Sequence, residues 1–182
     1  MVWVLHGADP EFCPRCGDAL DVRETDEGPR PRCEDCDVTL YHNAGVMART
    51  AVVDADRVLL IERGAAGDVG AWATAGGYVE AGERPSEAAA RELEEETGLA
   101  VAPDDLTLVN DGFLDFGGGE TDVAFNYAVH RSKTAGSVDA ASDAADTRWW
   151  TREELRTDLP DDKNNLRAIG LDALLDVLDD VS

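Results

Sequence analysis

The chain has 182 residues, and its 39 acidic side chains against 16 basic ones leave a formal charge of −23. That length fits one ordinary globular domain with a small appendage, and a hydrophobic share of 43 % can build a core, which excludes a fully disordered chain. The charge argues against a nucleic-acid groove of Lys and Arg, no apolar run is long enough to span a membrane, and the first residues lack a secretory signal, so a cytoplasmic protein is expected.

The cysteines come first. Cys13-Pro14-Arg15-Cys16 and Cys33-Glu34-Asp35-Cys36 are two C-x2-C knuckles separated by 16 residues, within the spacing of a four-cysteine zinc site. Two knuckles complete a tetrahedron of thiolates and leave no open position, so Zn2+ here is expected to be structural rather than catalytic. The competing reading, disulfides or free thiols, is disfavoured for disulfides by a reducing cytoplasm. Gly17 suits the left-handed backbone such turns need, and Asp37 in the equivalent place is less comfortable. His6 and His42 flank the module, but four sulfurs already fill the shell. Residues 1–42 thus resemble a zinc ribbon, open to a structural, dimer-forming or substrate-facing role.

Val46–Val53 and Arg57–Glu62 read as a hairpin around Asp54-Ala55-Asp56. Gly64 to Gly82 is glycine-rich and reads as loop, with one short strand near Trp72. Pro85 opens a helix over Ser86–Thr97, ended by Gly98. Leu106–Phe116 and Asp122–Arg131 read as strands joined by Gly117-Gly118-Gly119-Glu120. The Asp/Ala-rich stretch Val138–Asp146 reads as a surface loop and Thr147–Trp150 as a short strand. Thr151 and Glu154 form a capping box for a short helix. Over Lys163–Val181, Leu166, Gly170, Ala173, Leu174, Val177, Leu178 and Val181 fall at helical spacing. This order predicts an α/β fold with a mixed sheet covered on both sides.

On the predicted helix, Glu92, Glu95 and Glu96 fall within an arc of roughly 100°, beside the apolar positions Ala89, Ala90 and Leu93. Three carboxylates held that close repel unless something neutralises them, and hard divalent cations such as Mg2+ take oxygen ligands. In a chain with 39 acids the plainer reading is a solvated acidic face.

The wider pattern weighs against it. Gly77, Glu83, Arg91-Glu92-Leu93, Glu95-Glu96 and Gly98-Leu99 meet all nine fixed positions of G-x5-E-x7-R-E-U-x-E-E-x-G-U, with U a bulky aliphatic residue. Chance occurrence is on the order of one in ten million. The chain resembles the Nudix hydrolase family, and the likeness extends to the strand Val58–Arg63, to Trp72 and to Arg148-Trp149. Ala75 departs from it, standing where many members have Pro.

The resemblance implies a Nudix-type α/β/α sandwich over residues 43–182 that hydrolyses a nucleoside diphosphate linked to another moiety, using Mg2+ or Mn2+. Carried over by position, Glu92, Glu95, Glu96 and the carbonyl of Gly76 would hold the metal, and Arg91 would pair with Glu83. Glu92 or Asp143 would be the general base. A ribbon ahead of such a domain looks like the NADH pyrophosphatase arrangement, but the Ser-Gln-Pro-Trp-Pro-Phe signature is absent after Leu99. The proline that marks many ADP-ribose pyrophosphatases some sixteen residues past the box is missing as well, Asp115 and Phe116 standing there, but ribbon-bearing members without the NADH signature are commonly grouped with ADP-ribose hydrolases, so the resemblance favours ADP-ribose over NADH. Phe113, Phe116 and Tyr127 could stack on a base, although strand aromatics are more often core. The alternative class is a non-catalytic nucleotide sensor.

Among the bases 14 are Arg and two Lys, and Asp outnumbers Glu by 24 to 15. A surface so acidic repels itself unless salt shortens the Debye length to roughly 3 Å at 1 M. Adaptation to molar salt, as in extreme halophiles, is the expectation.

Overall fold

The structure, a computed structural model, describes residues 2–5, 10–65 and 68–180; His6 and Val181 lie outside them. The chain divides into two compact units, Met1–Gly45 with Asp115–Asp122, and Val46–Leu114 with Val123–Ser182. In the first, β1 (Val2–Leu5) runs parallel to β4 (Val38–His42), and β4 is antiparallel to β3 (Gly28–Cys33), which is antiparallel to β2 (Asp21–Thr25).

The second unit is built on β5 (Gly45–Asp54), β6 (Arg57–Arg63), β7 (Trp72–Ala73), β8 (Ala75–Tyr78), β9 (Thr107–Gly117), β10 (Glu120–His130) and β11 (Ala144–Thr151), except for Gly45 and for the ends of β9 and β10 within Asp115–Asp122, which belong to the first. Its sheet runs β11-β6-β5-β10-β9, with β7 paired to β6 and β8 to β5. Three helices accompany it: α1 (Pro85–Thr97), α2 (Arg152–Thr157) and α3 (Leu171–Asp180).

Alternation along the strands sets the layers. Val52, Leu59 and Ile61 pack on one face with Leu93 and Leu99, at α1 and its end. Their neighbours Ala51, Val53, Val58 and Leu60 turn to the other face and meet Leu155 of α2 and Leu174, Leu175, Val177 and Leu178 of α3. Helices therefore cover both faces of the sheet, giving the expected α/β/α sandwich with a mixed sheet. No helix among the described residues is long and apolar enough to cross a membrane.

Local chemistry accounts for the helix ends. Pro85 occupies the first turn of α1, the Glu87 carboxylate accepts from the Arg84 N–H (2.8 Å), and Gly98 closes it in left-handed backbone. Thr151 and Glu154 cap α2 reciprocally.

The C-terminal segment differs from its periodicity. The helix begins at Leu171 rather than Lys163, because the backbone ahead of it has other partners: Asn164 bridges to Trp72 and the Asn165 N–H donates to the Trp72 carbonyl (3.0 Å). Leu166 is still buried, but from a turn. β11 also starts three residues early, taking Ala144–Asp146 out of the expected loop by pairing Ala144 with Arg63 and Asp146 with Glu62 across a bulge. Phe113 and Phe116 are exposed rather than core, while Tyr127 packs beside Ala88 and Ala89.

Candidate active site

β8 lies antiparallel to β5, with Gly76 opposite Arg49 and Gly77 opposite Ala48. The approach is too close for side chains. A Cβ on Gly76, whose φ is +152°, would sit 2.3 Å from the Ala48 carbonyl oxygen, and one on Gly77 would sit 2.5 Å from Oε1 of Glu92. The two glycines let bare backbone run between the central strand and the carboxylates of α1. Ala75, in the position where proline is common, is buried opposite Thr50, so sheet pairing holds this segment.

Glu96 is buried at 6 % exposure, and its Oε2 accepts from the Gly76 N–H at 2.8 Å. Burial, reinforced by the charge of Glu92, pushes its carboxyl up to about 7, against the pull of the Gly76 hydrogen bond. A buried carboxylate beside another carboxylate is a donor set that suits a hard divalent cation. Glu92 Oε1 accepts from Arg91 Nη1 at 2.7 Å, and the same nitrogen reaches Glu95 Oε2 at 3.3 Å.

Arg91 also ties α1 to the preceding loop. Its Nε and Nη2 donate to the two oxygens of Glu83 (2.9 and 3.0 Å), and Nη2 donates to the Tyr78 carbonyl (3.1 Å). This forked pairing holds the Glu83 carboxyl below its usual range.

A cavity of about 370 Å3 brings Gly76, Glu92, Glu96 and Asp143 together with Gly77 and Arg63. Glu95 shares the helix face but is exposed on the Arg91 side and does not line the cavity. Asp143 is positioned by its backbone. Its carbonyl accepts from the Gly64 N–H (2.7 Å), while the N–H groups of Asp139 and Ala141 donate to Thr97 and Glu96, satisfying carbonyls at the end of α1. The loop before β11 is thereby pinned to both β6 and α1. Arg63 was not among the expected site residues. Its signal lay in β6, where Leu59 and Ile61 face α1 and residue 63 continues the alternation.

In the first unit the four sulfurs of Cys13, Cys16, Cys33 and Cys36 lie within 4.8 Å of one another, with Cys16 and Cys33 at 3.6 Å. Zn–S bonds of about 2.3 Å place tetrahedral sulfurs roughly 3.8 Å apart, so the group fits zinc. The backbone at Cys16 hydrogen-bonds Cys13 and, with a further contact from Arg15, brings its thiol down to about 7 against the opposing effect of burial. Gly17 and Asp37 both adopt the left-handed backbone expected of the knuckle turns, at φ +82° and +50°. Asp37 is held by Arg32.

Among known proteins, the chain is 33 % identical over 92 residues to the NAD-capped RNA hydrolase ndx-9 of Caenorhabditis elegans, which is 49 % of this chain and 24 % of that protein. It spans a quarter or less of the length of each curated relative considered. A Nudix hydrolase from Nitrosomonas europaea shares the fold over 93 % of this chain and 91 % of its own, with TM-score 0.68 and 20 % identity. The bifunctional NMN adenylyltransferase/ADP ribose pyrophosphatase of Francisella tularensis, solved with AMP and a Mn ion, matches 78 % of this chain and 43 % of its own (TM-score 0.58, 19 % identity). The NUDIX domain model matches residues 44–169, which hold the glycine pair, the carboxylate helix and Asp143, and the chain therefore belongs to the Nudix family.

Proposed function

We propose that residues 43–182 hydrolyse the pyrophosphate bond of a nucleoside diphosphate linked to another moiety, with ADP-ribose foremost, and that residues 1–42 are a structural zinc ribbon. The observation that carries the reading is the meeting of Glu92, Glu96, the Gly76 backbone and Asp143 around one cavity. The names of two relatives, one an ADP ribose pyrophosphatase and one an NAD-capped RNA hydrolase, support the substrate class.

In this reading Glu92, Glu96 and the Gly76 carbonyl would hold Mg2+ or Mn2+, and Glu95, which pairs with Arg91 outside the cavity, would have to turn inward to join them; the metal would supply charge neutralisation on the phosphates and acidify a water. Water adds to one phosphorus, the bridging P–O bond breaks, and two phosphate monoesters leave. The proton lost by the water goes to a carboxylate, Asp143 or Glu92. Arg91 keeps Glu92 and Glu95 in place through its bond to Glu83. A panel of nucleoside diphosphate derivatives incubated with protein, Mg2+ and molar KCl should release AMP from ADP-ribose. Tight nucleotide binding without any phosphate ester product would favour a sensor instead. Normal metal affinity with slow turnover in Asp143→Asn would identify that residue as the base.

Purified without chelator, the protein is expected to carry one zinc per chain by elemental analysis. Cys16→Ser or Cys33→Ser should lose it and unfold residues 1–42 first, since metal binding and folding of so small a module are coupled. A zinc-free, fully folded, active preparation would remove the ribbon assignment.

The charge of −23 with only two Lys supports a working environment of high salt. Thermal melts in a KCl series are expected to rise steeply below about 1 M, where screening changes fastest. A flat series would identify an ordinary acidic protein.

A further inference from the structure

We propose that the ribbon carries a ligand site of its own, a cavity that takes a nucleoside monophosphate with its base against apolar walls and its phosphate on arginine. The ligand class rests on the pyrophosphohydrolase reading, which makes a nucleoside monophosphate a product of the chain. The cavity is built from other residues than the carboxylate site.

The cavity, of about 570 Å3, lies within the first unit and is larger than the one at the carboxylates. Cross-strand register builds its apolar wall: Val22 of β2 stands opposite Pro31 of β3, and both line it with Pro29 and Leu40. Leu40 is buried, while Val22 is 72 % exposed, so the wall has a firm base and an open side. Proline rings are rigid, and little needs to be ordered when a ligand settles on them. A cavity of several hundred Å3 with apolar walls and a few convergent polar groups has the make-up of a small-molecule site.

The polar groups are Arg30 and Tyr41. The Arg30 guanidinium stands 5.6 Å from the centre of the Tyr41 ring, its Nη1 donates to the Pro29 carbonyl (3.2 Å) and its Nη2 to the Glu27 carbonyl (3.3 Å). These contacts position the fork but leave its Nε buried with no acceptor among the described residues, a donor whose desolvation is uncompensated until an oxygen arrives. Arg23, exposed, stands directly opposite Arg30 on the β2–β3 ladder and makes no ion pair or hydrogen bond through its side chain among the described residues. Like charges set opposite one another on a ladder are destabilising. Residues 1–45 hold ten acids against four Arg, but Arg32 is taken by Asp37, and the acid that reaches Arg30 is Glu27, at 3.8 Å with its side chain 72 % exposed. Two poorly compensated guanidinium groups side by side suit an oxyanion, and the ring and prolines beside them suit a flat base. Molar salt screens the first attraction but not the burial of the base, so the two together hold a nucleotide where arginine alone would not.

The test is equilibrium dialysis of AMP and of adenosine, with Mg2+ and KCl, against the full chain purified without chelator and its Arg30→Gln, Val22→Trp and Glu96→Gln variants, beside hydrolysis of ADP-ribose. The parent should bind AMP at a site whose affinity falls at least about tenfold in Arg30→Gln and in Val22→Trp and does not move in Glu96→Gln. Adenosine separates the two halves of the site: Val22→Trp should weaken it and Arg30→Gln should leave it unchanged. Zinc content and kcat for ADP-ribose should hold in both ribbon variants. The Trp is introduced at an exposed position, so it keeps the test open should Arg30→Gln fail to fold. AMP binding indifferent to both residues 22 and 30, or equal losses of AMP and adenosine in Arg30→Gln, overturns the site. A parent chain that hydrolyses nothing while the ribbon variants still lose AMP would sink the enzyme reading and leave the ribbon site standing. Brisk hydrolysis with AMP binding that neither ribbon variant alters would do the reverse.

Discussion

Glu96→Gln is expected to lower turnover of the pyrophosphate substrate by about two orders of magnitude or more while leaving the fold intact. Gln keeps the size of the side chain and an oxygen to accept the Gly76 N–H, so the contact between α1 and β8 survives while the anionic ligand is lost. Glu94→Gln is the control: Glu94 lies roughly 160° round the helix from Glu96 and is exposed. Equal effects of the two substitutions, both harmless or both damaging, would show that the metal face is wrongly placed. The same variant has a signature in stability. Because the Glu96 carboxyl is raised from 4.5 to about 7 in the folded chain, the folded state keeps a proton that the unfolded state gives up in between. The metal-free protein is then most stable, as far as this group is concerned, below about pH 4.5. It loses on the order of 3 kcal/mol as pH rises through about 7. Glu96→Gln should flatten that part of the pH–stability curve measured by denaturant unfolding in chelator. Added Mg2+ should flatten it in the parent chain.

Much of this site was legible in the residues because its parts are local. The box sits within 23 consecutive positions, and a helix turns spacing into direction, so Glu92 and Glu96 could be placed on one face from the sequence. The burial of Glu96 beside Leu93 agrees with that placement. The knuckles are local in the same way, each a four-residue turn. What spacing could not supply is anything decided by partners distant in the chain. Arg63 joins the cavity through β6–β11 pairing across some eighty residues, and Glu95 is drawn outward by Arg91 although helix geometry gives it the same face. The start of α3 failed for a similar reason. Apolar periodicity runs back to Leu166, but the backbone of Asn164 and Asn165 is claimed by Trp72. Strand ends moved by one to three residues wherever a neighbour offered hydrogen bonds, as Glu62 and Arg63 do for β11.

Gly76→Ala is expected to be the most damaging single-methyl change in the site. The added Cβ would lie 2.3 Å from the Ala48 carbonyl oxygen and 2.7 Å from the Arg49 Cα. Both are backbone of β5, a strand paired on each side and buried from Met47 to Val53, so no flexible side chain can swing away to make room. At φ +152° the residue also occupies a conformation L-amino acids rarely adopt. Together these should cost about 3 kcal/mol or more, which for a chain of this size lowers the melting temperature by roughly 6–12 °C. Activity should fall further than stability, because relieving the clash moves the Gly76 N–H away from Glu96 and its carbonyl away from the proposed metal. Saturating Mg2+ should not restore the rate. Gly82→Ala separates close approach from backbone strain: Gly82 has φ +92°, but a Cβ there meets nothing within 4 Å. It should cost only the left-handed penalty of about 1–2 kcal/mol and leave kcat largely intact. If Gly76→Ala melted and turned over like Gly82→Ala, the tight passage of β8 between β5 and α1 would not be what the glycine provides.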